Sequence, residues 1–272
     1  MKLAVSNIAW DRAEDDAVAD VLREENVSGV EIAPTAWRPE PYTAPRQEMI
    51  ALRRQWEDRG IEIVSLQSLL FGRSDLLLFD KTTRGALRDY LMRAIDFANA
   101  VGARALVFGS PKNRRRESMP PDKAIEEARD FFASLAPYAH EHETALCLEA
   151  NPAEYGGDFL LATPEAVALC ELVDHPGVRV NGDLGGMIIA GEDVSSTLAS
   201  SAPVLGHVHA SEPYLVELQS TKEHELAGRA LARAGYSSWV SIEMRKASEG
   251  TNVDAVRRAV RLAKRAYAAW SS

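Results

Sequence analysis

The chain has 272 residues, 46% hydrophobic and 26% charged, enough apolar material for a sizeable core without disulfides or a structural metal. Its formal net charge of −9 repels phosphodiester backbones and anionic lipid surfaces, which argues against nucleic acid and membrane as main partners. No apolar run reaches the length of a membrane span.

The N-terminus, Met-Lys-Leu-Ala-Val, opens like a secretion signal, but Ser6, Asn7, Asp11 and Arg12 interrupt it, so residues 3–6 read as a first strand. Further short apolar runs follow at 29–33, 61–67, 105–108, 145–148, 178–180, 205–208 and 239–242. Pro34 to Pro45 is rich in proline and aromatics and reads as a long loop. Helical periodicity is clear over 44–59, 80–101, 122–140 and 252–269, with Met49, Leu52 and Trp56, for example, on one face of the first. Gly29, Gly60, Gly102 and Gly235 stand at helix-to-strand turns. Cys147 lies in a strand-like run and Cys170 in a helical one, as expected of buried thiols in a reducing cytoplasm. Eight strand–helix units imply a parallel sheet with right-handed crossovers. The predicted fold is α/β, a single (β/α)8 barrel over residues 1–272, since roughly 250 residues is the usual length of one. The main signature of a doubly wound dinucleotide fold, Gly-x-Gly-x-x-Gly after the first strand, is absent.

Polar residues end the last four runs: Glu149, Asp183, His209 and Glu243. In such a barrel the C-terminal strand ends converge on the mouth. Three carboxylates crowded there raise one another's pKa, and a divalent cation relieves the conflict. A set of oxygen donors with one imidazole suits Mn²⁺, Co²⁺, Mg²⁺ or Zn²⁺ without choosing among them.

The segments Leu-Glu-Ala-Asn-Pro (148–152), Asn-Gly-Asp-Leu-Gly (181–185), His-Val-His-Ala-Ser-Glu (207–212) and Ser-Ile-Glu-Met (241–244) resemble the sugar-phosphate isomerase/epimerase superfamily of xylose-isomerase-like TIM barrels. Within it the metal pattern is most similar to that of the ketose 3-epimerases. The resemblance implies a metal-dependent isomerase or epimerase acting on a carbohydrate, free or anionic. Glu149 and Glu243 would be both ligands and catalytic groups. One would remove a proton beside a carbonyl, the metal would stabilise the enediolate, and the other would return a proton to the opposite face. Self-association is common among such barrels, so a homo-oligomer is compatible with the resemblance.

Two positions depart from the ketose epimerase pattern. Gly186 stands where a histidine is usual, three residues after Asp183, and Leu215 where an arginine is usual, six after His209. Their substitutes are sought on the rim. Lys112, Asn113 and Arg114, in a basic loop after the fourth strand, are candidates for an anionic group, as is Arg245. Gln67, Tyr155 and Asp158 are candidates for sugar hydroxyls, with Glu31 and Asn7 also near strand ends. Trp10 and Trp37 are candidates for stacking, and His207 for supporting His209 from behind. Competing readings are a dehydratase or lyase on a keto acid or keto-sugar, an apurinic-site endonuclease, and a non-catalytic binding barrel. The endonuclease needs more histidines than the six present, and the net charge disfavours it.

Overall fold

A computed structural model describes residues 1–219 and 221–267. Short, mainly apolar runs form eight strands: β1 (Lys2–Ser6), β2 (Gly29–Ile32), β3 (Glu62–Leu66), β4 (Ala105–Phe108), β5 (Ala145–Glu149), β6 (Val178–Asp183), β7 (Leu205–Ser211) and β8 (Trp239–Glu243). They pair in parallel in chain order, and β8 pairs with β1 to close the barrel. Eight-fold closure leaves no sheet edge unpaired.

The helices are α1 (Asp15–Glu24), α2 (Pro34–Trp37), α3 (Arg46–Glu57), α4 (Arg84–Val101), α5 (Pro121–Glu141), α6 (Thr163–Val173), α7 (Leu184–Ile189), α8 (Val194–Ser201), α9 (Lys222–Arg233) and α10 (Asn252–Ala266). Each long one buries the apolar stripe its periodicity marks. On α10 the stripe is Ala255, Val256, Ala259, Val260 and Ala263, and Thr251 caps the helix by accepting the Asp254 N–H. Helix α4 ends on Gly102, whose φ of 88° suits the left-handed stop. None of the described helices is long and apolar enough to cross a membrane.

Several boundaries differ from expectation. The 34–45 segment holds α2 and a 3-10 turn, Pro41–Thr43, rather than loop throughout. Helix α4 begins at Arg84 because Asp80 accepts from the amide and hydroxyl of Thr82, making a turn where the periodicity suggested a helix start. Residues 268 and 269 of the last predicted helix lie outside the described residues. At the site, β6 carries on past its apolar run to Asp183, as expected, and β7 runs to Ser211, two residues beyond the expected end at His209. Asn181, Gly182 and Asp183 are poor strand formers. They are held extended because Asn181 is in register with Glu149 and Asp183 with His209.

Candidate metal centre

The register that extends β6 and β7 brings the four strand-end residues together in a stagger, with Asp183 and His209 at one level and Glu149 and Glu243 two residues to either side of it. Glu149 stands beside Asn181, Asp183 beside His209, and Ser211 beside Glu243. Glu149, Asp183, His209 and Glu243 are buried, on the floor of a cavity of about 280 Å³ at the C-terminal mouth. Asp183, His209 and Glu243 each offer a ligand atom within 4.8 Å of the other two. Glu149 joins them through Oε2, which lies 3.3 Å from His209 Nδ1, while Glu243 Oε2 lies 3.0 Å from the same nitrogen.

The opposite edge of that imidazole is fixed from below. His209 Nε2 is 3.1 Å from Oε1 of the fully buried Glu31, which also accepts from Ser65 Oγ (2.8 Å) and Ser241 Oγ (3.1 Å). So held, the ring directs Nε2–H at Glu31 and turns Nδ1, the nitrogen a metal would take in place of a proton, toward the carboxylates above. His207 Nε2 is also 3.1 Å from Glu31 Oε1 but is too far out of line for a full hydrogen bond. It touches Glu31 and packs edge-on against the His209 ring at 5.3 Å. Glu31 is therefore the group directly behind His209, with His207 beside it.

The carboxylates are held individually. Asp183 accepts from Ser211 Oγ through Oδ1 and from the Gly186 N–H (2.8 Å) through Oδ2. Glu149 accepts from Asn181 Nδ2 (2.7 Å) on Oε2 and from Asn151 Nδ2 (2.8 Å) on Oε1. Two glycines make room. A Cβ at Gly109 would meet Glu149 Oε1 at 2.3 Å, and one at Gly186 would meet Asp183 Oδ2 at 2.9 Å. The missing histidine at 186 thus coincides with a position whose amide binds Asp183 and where a Cβ would press on it.

Charge in this floor is unbalanced. Burial raises the pKa of Asp183, and the charges of Glu149 and Glu243 raise it further, to about 7. Glu243 is raised by burial too. Burial would also raise Glu149, but His209, Asn151 and Asn181 outweigh it and hold the pKa low. Burial would lower that of His209, yet Glu31 and Glu243 hold it well above its ordinary value. One imidazolium thus faces three carboxylates above and one below. The side-chain amide oxygen of Asn181, Oδ1, is buried beside them without a partner. Carboxylate oxygens converging on a ring nitrogen, in excess of the positive charge present, are a donor set that fits a divalent cation.

Of the other residues singled out in the sequence, Gln67, Tyr155 and Arg245 line the cavity, together with Ser68, Ser110 and Tyr214. The Tyr155 hydroxyl accepts the Tyr214 N–H at 3.1 Å, and the two rings meet edge-on. Tyr214 and Leu215 both have left-handed backbones (φ 61° and 57°), and the Leu215 carbonyl accepts the Arg245 N–H. Leu215 contributes an apolar wall.

Lys112, Asn113, Arg114 and Asp158 do not line the cavity. Lys112 is exposed. Asn113 is buried and donates to the carbonyls of Arg73 and Leu76. Arg114 is turned into the protein, and Asp158 accepts the amides of Arg116 and Glu117, tying down the basic loop. The loop's expected anion cradle is thus replaced by scaffold contacts at Asn113, Arg114 and Asp158. Asn7 accepts the Ala33 N–H. Trp10 is buried against Asp15, and Trp37 packs on Phe97, both outside the cavity. Asn151, Asn181 and Ser211 were not identified from sequence. Each lies two residues from a member of the quartet, and alternation along an extended segment is the signal that points to them.

The family model described as xylose isomerase-like TIM barrel matches residues 19–266. Sequence comparison with curated proteins gives no match. Among solved structures the chain is similar to D-psicose 3-epimerase determined in the presence of D-fructose, at 17% identity and TM-score 0.80, covering 98% of this chain and 99% of that one. It is equally similar to 3-keto-D-glucoside 4-epimerase from E. coli (17%, TM-score 0.80, 97% and 99% covered). The IolI protein with a bound zinc atom follows at 13% and TM-score 0.76, with 98% and 99% covered. At such identities the likeness is one of fold.

Proposed function

The chain belongs to the xylose isomerase-like TIM-barrel family, and from that footing we propose that it is a divalent-metal-dependent isomerase or epimerase of a sugar or sugar derivative. The observation that carries this reading is the buried floor of Glu149, Asp183 and Glu243 around His209 Nδ1, at the base of a cavity of sugar size. Epimerases among the similar structures and the zinc of the IolI protein support it.

Glu149, Asp183, His209 and Glu243 would hold the metal. A bound divalent cation supplies positive charge against the oxyanion that develops as a proton leaves the carbon beside a carbonyl. Glu149 and Glu243 then serve as the base and acid, from strands that approach the cavity from different sides. Glu31 keeps the His209 proton on Nε2 and away from the site. Gln67, Tyr155 and Ser68 offer hydrogen bonds to hydroxyls, while Leu215 and the Tyr155–Tyr214 pair exclude water. Arg245 is the cation in the cavity lining, and among the described residues its side chain has no partner. An anionic substituent remote from the carbonyl is therefore the group it would take, within a site otherwise acidic.

The test is proton NMR in D₂O with metal-loaded protein and ketoses offered as neutral, carboxylated and phosphorylated forms. Deuterium should enter at the carbon beside the carbonyl, and Glu149→Gln and Glu243→Gln should each slow this by about 10²–10⁴-fold. Arg245→Met should erase any preference for the charged forms. Turnover without exchange at that carbon would sink the proton-transfer reading, and an unsaturated product would move it to elimination.

A further inference from the structure

Five polar residues in a row, Lys112, Asn113, Arg114, Arg115 and Arg116, follow β4, and one cation among them is wholly enclosed. The Arg114 guanidinium donates from Nη1 to the Phe108 carbonyl (3.3 Å) and from Nη2 to Asn151 Oδ1 (3.0 Å); its Nε is buried without a partner. Among the described residues no carboxylate lies within ion-pair distance of it. A buried guanidinium lacking a carboxylate is costly, so some other group must favour its charge.

The compensation runs through one amide. Asn151 accepts the guanidinium proton on Oδ1 and donates from Nδ2 to Glu149 Oε1 at 2.8 Å. Flipping the amide would set an NH₂ group against the guanidinium and an oxygen against the carboxylate, so both neighbours enforce one orientation. The amide dipole then points from cation to anion, and the three groups polarise one another. Glu149 Oε1 is confined further by Gly109, where a Cβ would fall 2.3 Å away. Burial draws the Arg114 pKa down to about 10 while the Glu149 charge opposes this, so the group stays cationic at neutral pH.

We propose that Arg114 is a positioning residue for Glu149, acting through Asn151. It fixes the rotation of the carboxylate so that Oε2 faces His209 and Oε1 is held at a defined angle in the cavity. The inference rests on the role given to Glu149 above. The alternative is a plain tie that pins the loop to the Phe108 carbonyl.

The two are separated by a double-mutant cycle of Arg114→Met and Asn151→Ala in the metal-loaded protein, read as kcat and KM of deuterium exchange, as Mn²⁺ affinity by calorimetry, and as thermal unfolding. Methionine keeps the volume, and removing a buried charge offsets the cost of leaving Asn151 Oδ1 and the Phe108 carbonyl without that donor. Arg114→Met is expected to keep the unfolding temperature and KM while lowering kcat about 10–100-fold. Adding Asn151→Ala should then cost little more, and Arg114→Lys should restore part of the rate. Unchanged kcat in Arg114→Met, or losses that track unfolding temperature and add independently to those of Asn151→Ala, would overturn the proposal. Should wild-type protein exchange no sugar proton, the function proposed above fails; the relay is then judged by whether the two substitutions are non-additive in Mn²⁺ affinity.

Discussion

Asp183 is the residue whose environment most plainly calls for a cation. Its pKa is raised from an ordinary value near 3.8 to about 7, by burial first and then by Glu149 and Glu243. An acid with a raised folded pKa contributes stability that is present below its unfolded pKa and lost as pH rises through the folded one. In metal-free protein this loss falls between about pH 4 and pH 7. Asp183→Asn is therefore expected to flatten the fall of unfolding temperature with pH in the presence of chelator. It should leave the variant more stable than wild type at pH 8, on the order of 1 kcal/mol or more, while abolishing metal retention. Parallel pH profiles for the two proteins would contradict the account. The quartet was legible because each member ends an apolar run on a strand whose position the alternation had set. The direction of Arg114 was not. Three neighbouring cations made the segment read as a rim loop for an anionic group, and only the packed structure shows the Asn151 amide that receives Arg114. Nor was the bond from Glu31 to His209, whose partners stand 178 residues apart.

Among the elements, the junction of β6 with α7 sets the candidate metal centre most tightly. The strand ends at Asp183, the helix begins at Leu184, and the first-turn amide of Gly186 returns to the Asp183 carboxylate as an N-cap bond. Gly185 approaches the Glu212 carbonyl, where a Cβ would fall 2.7 Å away, so neither glycine has room for a side chain. Gly186→Ala adds a methyl 2.9 Å from Asp183 Oδ2, and the carboxylate must rotate to accommodate it. Metal affinity should fall about tenfold, within the range for changes to groups that orient ligands, with little change in helical circular dichroism. Equal affinity by equilibrium dialysis would show that Asp183 tolerates the shift. Long helices such as α5 and α10 could be located from unbroken periodicity, whereas the short α7 and α8 could not. Six residues of Leu-Gly-Gly-Met-Ile-Ile hold less than two turns of pattern, and the glycines argue against a helix at all. The same limit applied to the end of β7, where pairing with β8 keeps the chain extended to Ser211.

On the scale of the whole molecule, the acidic balance of the chain and the acidic floor of its cavity act together, and a cation bound there should reinforce the fold. A ligand that binds only the folded state at one hundred times its Kd adds about 2.7 kcal/mol. For a protein of this size that corresponds to roughly 5–10 °C in unfolding temperature. Calorimetry with excess Mn²⁺ or Zn²⁺, compared with chelator, measures it, and identical transitions would argue against a resident metal. The polar interior has a consequence for how the chain is made. Glu31 and its first partner Ser65 emerge early in synthesis, but His209 and Ser241, which also bind the carboxylate, emerge only after more than two thirds of the chain. Until then the inner surface of the growing sheet must stay wet, because a carboxylate held there by one hydroxyl and no cation cannot shed its water. Joining β8 to β1 is accordingly the event that dries the interior, and the ring closes around a charge that has waited for its partners.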